Sequence, residues 1–413
     1  MRANLNPRVW DFEAGQGGDT FLVNQLFHPY AGGLYFASAR SNNLNFYWSI
    51  LSSAFGSISW EALGETDSPA ISDVINTTLG GIVLGEVLHR LYIELDKDGI
   101  AGKIGSTILS PTDRVTAAVR GYGPEKGPGK IRYASLALGF SWLNARFFGN
   151  NDEVAPWNTP ARFMGIDIVY GDPYTAHSKT PFDQFDLNTS LTVSIPLIYN
   201  FNFVTDGYLA SWLLADDDVD QASNGLTLHF DNFVTDKGGI MDLNNGRENL
   251  SFNANSLDYS IKWRRQKRYI FNKPFDLSLK THLGFSPWAV TDYNGGANKD
   301  DYYLYLLGGN IKLFLELRQT EENGGAKNGH ALSLSLCFYD TWNIPNTPGF
   351  DVNTFFLFSK IAYSFPLTAR LSLYAADSFL FLHCHLTGDV DAAFPDMTRW
   401  YNSAQFGVKI SFF

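Results

Sequence analysis

The feature that most constrains this chain is a period-two alternation of apolar and polar residues, which begins near Ile131 and recurs to the C-terminus. It is clear from Leu136 to Trp142 and again from Phe275 to Phe285. Successive side chains of a β-strand point to opposite faces of the sheet, so each run predicts a strand with one apolar and one polar face. Such a strand has one face in an apolar environment and the other in water.

Two classes of protein contain strands of this kind. A soluble sandwich buries the apolar faces in its core, whereas a membrane barrel presents them to lipid. The runs are roughly 9–11 residues long, the length of a tilted membrane strand. Aromatic residues crowd the strand ends, as interface girdles do; they include Tyr302, Tyr303, Tyr305, Phe355, Phe356, Phe358, Phe379 and Phe381. We predict an all-β transmembrane barrel of about 12 antiparallel strands over residues 121–413.

The C-terminus supports a location in the outer membrane of a Gram-negative bacterium. The chain ends on Phe412 and Phe413, and a terminal strand closing on Phe resembles the assembly signal of bacterial outer-membrane proteins. Phe412 is in phase with the apolar face and Phe413 is one position late, so this is a shifted variant. The first residues lack the apolar core and cleavage site of a secretory signal. We therefore expect the native signal peptide to be missing from this numbering.

Composition excludes several other classes of protein. Charged residues are 18% of the chain and the mean hydropathy is −0.12, which argues against a disordered chain and a bundle of membrane helices. The net charge of −11 disfavours a nucleic-acid partner. The two cysteines, Cys337 and Cys384, are too few for a disulfide scaffold, and the sequence leaves their pairing open. No motif predicts a cofactor, and outer-membrane lipid is the expected partner.

Residues 25–120 do not follow the period-two pattern, and we predict that they form a helical plug or cap of the barrel lumen. The first helical run, from Leu44 to Leu63, is apolar but contains several serines, and a second helical run extends from Asp73 to Leu91. A stripe of small residues along the second run predicts a close helix–helix approach; the stripe comprises Thr77, Gly81, Gly85 and His89. The two runs predict a tight helical hairpin. Ile104 to Arg120 predicts a shorter amphipathic run, and residues 1–24 an N-terminal segment or first strand.

An ordered set of short motifs carries a family resemblance. It comprises Phe27-His28-Pro29-Tyr30, Ala39-Arg40-Ser41-Asn42, Trp60-Glu61, Gly64-Glu65, Ser68-Pro69, Asp73-Val74-Ile75-Asn76-Thr77, Gly80-Gly81, Gly85-Glu86, Tyr170-Gly171-Asp172-Pro173 and Pro181-Phe182-Asp183. Together these resemble an uncharacterised bacterial outer-membrane family, known only as a domain of unknown function, over roughly residues 9–190. The resemblance implies an envelope protein with a helical element and a barrel, and it implies no reaction.

The helical block is rich in groups that are costly to bury without a partner. The candidates for a catalytic role are His28, Glu61, Glu65, Asp73, Glu86 and His89. Three further residues, Arg40, Asn76 and Arg90, complete the predicted polar cluster of the plug. The simpler expectation is that all of them meet a polar lumen wall, to which we assign Lys280, Lys312, Glu316, Arg318 and Arg370.

Metal and catalytic motifs are weak in this sequence. Glu86 and His89 form a Glu-x-x-His pair of the kind used in di-iron bundles, but only one such pair is present. Glu86 is equally well placed for an ion pair with Arg90, one helical turn away. His383 and His385 share one face of a predicted strand and can bind a metal weakly, although interface residues are expected there. The acidic run 216–224 predicts a solvent loop rather than a calcium site, and 294–301 another loop.

The sequence thus favours a structural or interaction role, or passive transport, over catalysis. One alternative is an envelope enzyme that acts on lipid or glycan and uses the His, Glu and Asp candidates of the helical block. Such an enzyme needs a nucleophile beside a base, and no Gly-x-Ser-x-Gly elbow is present. Another alternative is a subunit of a larger outer-membrane assembly, with other envelope proteins as partners.

Overall fold

The computed structural model falls into two compact units, a helical unit from Met1 to Lys130 and a barrel unit from Ile131 to Phe413. The structure describes residues 10–12, 21, 23–65, 68–96, 99–121, 123, 129–149, 152–153, 157–174, 177–194, 197–236, 249–270, 272–294, 301–320, 329–344, 351–387 and 396–412. The sequence analysis placed the start of the barrel at residue 121, and the barrel unit starts at Ile131.

The described part of the helical unit contains five α-helices, preceded by a π-helix at Val23–Phe27. They are α1 (His28–Ser41), α2 (Phe46–Leu63), α3 (Ile71–Leu95), α4 (Gly99–Leu109) and α5 (Pro111–Arg120). The helices differ from the sequence prediction at two places. Helix α1 was not predicted, and the run from Ile104 to Arg120 is two helices, because Ser110 is non-helical and Pro111 opens a new helix. Of the predicted first segment, Asp11 forms a single parallel bridge to Ala70, and residues 1–9, 13–20 and 22 lie outside the described part.

The stripe of small residues on α3 packs against α1, not against α2 as the predicted hairpin required. A Cβ atom on Gly81 would lie 2.6 Å from the backbone carbon of Gly32, and one on Gly32 would lie 1.9 Å from the carbonyl oxygen of Thr77. Glycine is therefore required where the two helix backbones meet. Helix α3 is long and apolar enough to cross a membrane, but 67% of its most apolar window is buried inside the structure. We assign it as the core helix of the unit.

Helix α2 is packed with its polar face inward and its apolar face outward. Ser49, Ser53, Ser57 and Glu61 recur every four residues and are buried. The hydroxyl of Ser53 donates to the carbonyl of Gly32 (3.0 Å). The opposite face is exposed and includes Tyr47, Trp48, Leu51, Phe55 and Ile58, and Leu44, two residues before the helix, is exposed as well. We call these six residues the α2 apolar face.

The barrel unit is a closed antiparallel barrel of twelve long strands, together with the two-residue strand β2, as predicted. The strands are β1 (Ile131–Gly149), β2 (Asp152–Glu153), β3 (Trp157–Tyr170), β4 (Phe185–Ser194), β5 (Leu197–Asp216), β6 (Asp220–Asp236), β7 (Asn249–Ile270), β8 (Lys273–Asn294), β9 (Asp301–Gln319), β10 (Ala331–Asn343), β11 (Asp351–Pro366), β12 (Leu371–Thr387) and β13 (Met397–Ser411). Pairing of β13 with β1, from Ser135↔Ser411 to Phe148↔Thr398, closes the barrel. Closure leaves no open sheet edge between these strands.

The two faces of the strands are arranged as the alternation predicted. Large apolar side chains point outward and are exposed, including Phe140 (72%), Leu283 (64%) and Phe406 (63%). Polar side chains of the intervening positions face the lumen. An apolar exterior around a closed antiparallel barrel is the arrangement of outer-membrane proteins, which confirms the predicted location.

The aromatic girdle is only partly as predicted. Phe355, Phe379 and Phe381 are on the outer surface, where Phe355 packs edge-to-face on Phe381 with ring centroids 5.9 Å apart. Phe356 and Phe358 are instead buried and face the lumen. The prediction placed neighbours of opposite parity on one surface, which a strand cannot do because its side chains alternate.

The two ends of the barrel are named by the chain. We call the end where β1 begins and β13 ends the terminal end, and the opposite one the far end. The strands are joined at the terminal end by 171–184, 217–219, 271–272, 320–330 and 367–370, and at the far end by 195–196, 237–248, 295–300, 344–350 and 388–396 among others. Short and long connections occur at both ends.

The acidic run 216–224 was predicted as a solvent loop, but only 217–219 form a turn, because Asp216 ends β5 and residues 220–224 belong to β6. The carboxylate of Asp217 accepts hydrogen bonds from the backbone N–H groups of Val219 (2.8 Å) and Asp220 (2.5 Å). These bonds close an Asx-type turn and explain why the run is acidic. Within the other predicted loop, 294–301, residues 295–300 lie outside the described part.

Candidate functional site

The centre of the helical unit is a buried carboxylate held between two arginines. Glu86 of α3 has no solvent exposure. Its Oε2 lies 2.7 Å from Nε of Arg40 on α1, and its Oε1 lies 2.7 Å from Nε of Arg90, one turn further along α3. The predicted Glu86–Arg90 pair is therefore present, and Arg40 joins it because the glycine contact brings α1 close to α3.

The two guanidinium groups determine the charge state of Glu86. Burial alone would raise the pKa of this carboxyl, but Arg90 and Arg40 outweigh it, and the pKa of Glu86 is below its usual value. Both carboxylate oxygens accept hydrogen bonds from arginine. Glu86 is thus fixed as a charged structural group, and a metal ion at Glu86 would have to displace Arg40 and Arg90.

His89 belongs to a second polar cluster that the sequence analysis missed. Its Nδ1 lies 2.7 Å from Oδ1 of Asp113 at the start of α5. The same carboxylate accepts hydrogen bonds from the hydroxyls of Ser41 and Ser110. Asp113 is buried and joins the ends of α1, α3 and α5. The one sequence signal for it was its position two residues after Pro111, where an acidic residue is typical of a helix first turn.

The remaining candidates are separated from one another and contact the backbone or neighbouring side chains. Glu61 accepts a hydrogen bond from the backbone N–H of Ala70 (3.0 Å), the residue that precedes α3. Asn76 donates to the carbonyl of Asn24. His28 lies 3.2 Å from the hydroxyl of Thr77. These contacts join helix ends, which is a structural use of polar groups.

Glu65 and Asp73 are half-buried. The indole Nε1 of Trp60 donates to Oε2 of Glu65 (3.1 Å). Asp73 lies in the first turn of α3, where a negative charge is favourable. The structure therefore unites Arg40, Glu86 and Arg90 in one cluster and pairs His89 with Asp113 in another. It does not assemble the six catalytic candidates into one site.

The barrel lumen contains a larger charged network that the sequence analysis did not resolve. Lys312 of β9 is fully buried, with its Nζ 2.7 Å from Oδ2 of Asp231 on β6 and 3.3 Å from Oδ2 of Asp258 on β7. Tyr339 of β10 donates to the same oxygen of Asp231. Opposite charges from three strands thus meet in the lumen, with a hydroxyl from a fourth, which favours burial of each.

A second part of the network lies beside it. Nζ of Lys262 is 2.7 Å from Oδ2 of Asp206 and 3.0 Å from Oδ2 of Asp186, and Lys280 shares Asp186 (2.8 Å). Lys280 and Lys312 were predicted to face the lumen, and they do. So do Glu316 and Arg318, which pair with each other. Arg370 was predicted with them but lies in an exposed turn between β11 and β12.

Two histidines complete the network between the lysines. His282 Nδ1 lies 2.6 Å from the hydroxyl of Ser260, and His229 Nε2 lies 3.1 Å from His282 Nδ1. This places a hydroxyl beside a base, as a hydrolase requires. Ser260 and His282 are 0% and 1% exposed, however, and the other ring nitrogen of His282 is 4.0 Å from Asp206, beyond hydrogen-bond distance. The arrangement is a buried network rather than an accessible active site.

Towards the far end, the lumen is filled by apolar side chains. Phe252 and Phe356 stack with ring centroids 4.3 Å apart and planes 7° apart. Phe233 packs on Phe356 (5.0 Å) and on Phe358 (4.9 Å). Around them lie buried residues of most of the strands, among them Leu143, Leu250, Leu304, Leu306, Val352, Leu380, Leu382 and Met397. Cys337 and Cys384 are also in this layer, and both are free.

A small polar cavity lies in the lumen near the terminal end. Its volume is about 60 Å³, enough for a few water molecules. Lys409 donates to Asp167 (3.0 Å), and Ser135 donates to the same carboxylate (3.2 Å). Four of the charged groups that line the cavity are therefore paired, Lys409 with Asp167 and Arg318 with Glu316.

Comparison with known proteins gives a family match for the helical region and structural likenesses for the barrel. Residues 15–112 match the sequence model of a family described as "Domain of unknown function (DUF3943)". This confirms the predicted resemblance. The DUF3943 match spans α1–α4 and contains Arg40, Glu86, His89 and Arg90, whereas Asp113 and the motifs after residue 170 lie beyond it. No curated protein matches the chain.

Solved structures similar to the chain are outer-membrane barrels. The toluene transporter TodX of Pseudomonas putida is 10% identical, with a TM-score of 0.26, over 68% of this chain and 89% of TodX. A FadL homologue of Pseudomonas aeruginosa is 9% identical, with a TM-score of 0.27, over 70% and 91%. The NanC porin is 7% identical, with a TM-score of 0.26, over 65% and 98%. We infer no function from likenesses of this size.

Proposed function

We propose that this protein is a sealed outer-membrane barrel with a structural or interaction role, in which the strands anchor the DUF3943 region to the membrane. The observation that carries the proposal is the filled lumen. Lys312, Asp231 and Asp258 are completely buried and mutually paired, and a stacked aromatic layer lies beyond them. An open diffusion channel needs a hydrated lumen, and hydrated charged groups would be exposed.

The plug or cap function of the helical block stays a prediction.

The α2 apolar face favours a lipid partner. Its six large side chains are each at least 39% exposed, and Phe55 is 73% exposed. Helices of soluble proteins place such residues in the core, whereas helices in lipid pack through small and polar residues and turn apolar groups outward. Helix α2 follows the second pattern, with Ser53 bonded to α1. Tyr47 and Trp48 are residue types that favour the membrane interface. We propose that this face contacts the acyl chains of a membrane leaflet.

The enzyme alternative is less well supported. Glu86 is held by two arginines, Glu61 by a backbone N–H and Glu65 by an indole. A general acid or base needs a group that can donate or accept a proton and can reach a substrate. Assembly with another envelope protein through the α2 apolar face is the other alternative, and it would shield residue 55 from lipid.

The first expected result concerns conductance. Purified wild-type protein in a planar lipid bilayer should give no stable open-channel current, because the lumen is filled. The double variant Phe252→Ala/Phe356→Ala removes the stacked pair and should raise the frequency of current steps about tenfold or more, since two large side chains leave a cavity across the apolar layer.

The matched control removes the same amount of side chain from the outer surface. Phe140→Ala/Phe285→Ala changes two exposed phenylalanines of β1 and β8 and should leave the current at the wild-type level. Stable wild-type channels of uniform conductance would contradict the sealed barrel and support passive transport.

The second expected result concerns the α2 apolar face. A fluorophore on Phe55→Cys, in full-length protein reconstituted into phospholipid vesicles, should be quenched at least twofold more by brominated acyl chains than one on Asn42→Cys. Asn42 is exposed but polar and lies outside the face. Cys337 and Cys384 are buried, so the introduced thiol is the accessible one. Equal quenching at both sites would rule out the lipid contact.

A further inference from the structure

A cluster of metal-ligating side chains lies on the outer surface of the barrel near its far end. His383 and His385 are on β12, two residues apart, so both point outward from the same face of the strand. Asp396 immediately precedes β13, and the β12–β13 register, with His383 opposite Thr398 and Cys384 opposite Met397, brings it beside His385. His383 is half-buried, and the other two are exposed.

The geometry of the three side chains is already convergent. Nδ1 of His385 lies 2.9 Å from Oδ2 of Asp396, and the two imidazole planes are nearly parallel at 12°. One potential ligand atom from each of the three residues lies within 4.8 Å of the others. First-row divalent metals bind imidazole nitrogen and carboxylate oxygen at about 2.0–2.2 Å, so ligand atoms of one site lie a few ångströms apart. Small side-chain rotations are enough to close the set around an ion.

We propose that His383, His385 and Asp396 form a surface site for a divalent transition metal ion of the zinc or copper class. Two imidazoles and one carboxylate match the ligand preference of these ions, and not that of calcium or magnesium, which take oxygen ligands. Three protein ligands leave a coordination position for water or an external group. The site is independent of the DUF3943 region and of the lumen.

Neighbouring groups hold two of the ligands in place. The Nδ1 atom of His383 is hydrogen bonded to the hydroxyl of Thr398 (2.8 Å), which fixes the ring. The backbone N–H of Leu386 donates to Oδ1 of Asp396 (3.0 Å). Partners of this kind orient metal ligands and strengthen binding. Thr398 therefore acts as a positioning residue.

The lumen contains another set of two histidines and an aspartate, which is less suited to a metal ion than the surface set. Asp206, His229 and His282 also place their ligand atoms within 4.8 Å of one another. That set is buried, and Nζ of Lys262 is already 2.7 Å from Asp206. A metal cation there would have to displace the ammonium group and be desolvated beside other lysines. At the rim, no lysine or arginine is among the described ion-pair partners of the three ligands.

The test is a titration of zinc into the full-length protein in detergent, in which calorimetry measures binding. Wild type should bind one equivalent, and His385→Ala should weaken binding at least tenfold. His330→Ala is the matched control, because His330 is an outward-facing histidine at the terminal end, bonded to Tyr363 (2.7 Å). It should bind as wild type does. Thr398→Val should weaken binding by a smaller factor. Equal affinity in wild type and His385→Ala would overturn the proposal.

A second measurement uses wild-type protein alone and is independent of variant folding. Zinc should protect His383 and His385 from modification by diethyl pyrocarbonate, measured by mass spectrometry, and leave His330 reactive. Equal modification of His385 with and without zinc would overturn the proposal. A cobalt(II) complex with the visible absorption of an ion bound to nitrogen and oxygen, lost in His385→Ala, would support it.

Discussion

Replacing Glu86 by alanine should destabilise the helical unit by about 3 kcal/mol, because it leaves two guanidinium groups without their shared carboxylate. Arg90 is almost fully buried and Arg40 is 20% exposed, so the loss belongs at the lower end of the range for broken buried ion pairs. The measurement is urea unfolding of the full-length protein in detergent, followed by the helical signal of far-UV circular dichroism. The barrel, assayed by its heat-modifiable gel mobility, should remain folded.

Controls separate the ion pair from a catalytic role. Glu65→Gln keeps the shape of a half-buried side chain that accepts from the Trp60 indole, and it should cost less than about 1 kcal/mol. Because the pKa of Glu86 is lowered in the folded protein, its contribution to stability is present above the ordinary carboxyl pKa and is lost as the pH falls below it. The acid sensitivity of the helical signal should therefore be smaller in Glu86→Ala. Unchanged stability in this variant would show that the arginines do not depend on Glu86.

Replacing Gly81 by leucine should be at least as damaging, about 3 kcal/mol or more, because it inserts a side chain where two helix backbones touch. A Cβ atom at this position would lie 2.6 Å from Gly32, on an atom that cannot move without moving α1. The displacement of α1 would also separate Arg40 from Glu86. The same unfolding experiment measures the loss, and protease cleavage within α1 should become faster.

Gly105→Ala is the matched control. Its Cβ atom would meet Leu95 at 3.9 Å, an ordinary contact. Alanine is favoured over glycine within a helix, so this variant should be neutral or more stable by up to about 1 kcal/mol. If Gly81→Leu unfolds at the same urea concentration as Gly105→Ala, α1 and α3 do not depend on the glycine contact.

The strands of the barrel were predictable because each satisfies a local rule. A residue such as Phe140 or Leu283 is apolar because it faces outward, and its neighbours are polar or small because they face the lumen. The Glu86–Arg90 pair was predictable for the same reason, since both lie one turn apart on one helix. Helix α1 was missed because its motif, His-Pro-Tyr-Ala-Gly-Gly, contains Pro and two glycines, which locally disfavour a helix.

The sequence by itself determined that the chain carries a barrel with an apolar exterior and a separate helical block, because periodicity is a property of neighbouring residues. Only the tertiary structure decided which helix meets the glycine stripe, that Arg40 and Asp113 complete the polar clusters, and that Phe356 and Phe358 close the lumen. These contacts join residues far apart in the chain, among them Arg40 with Glu86 and Lys312 with Asp231. Their pairing depends on how whole elements pack, and no local pattern contains that information.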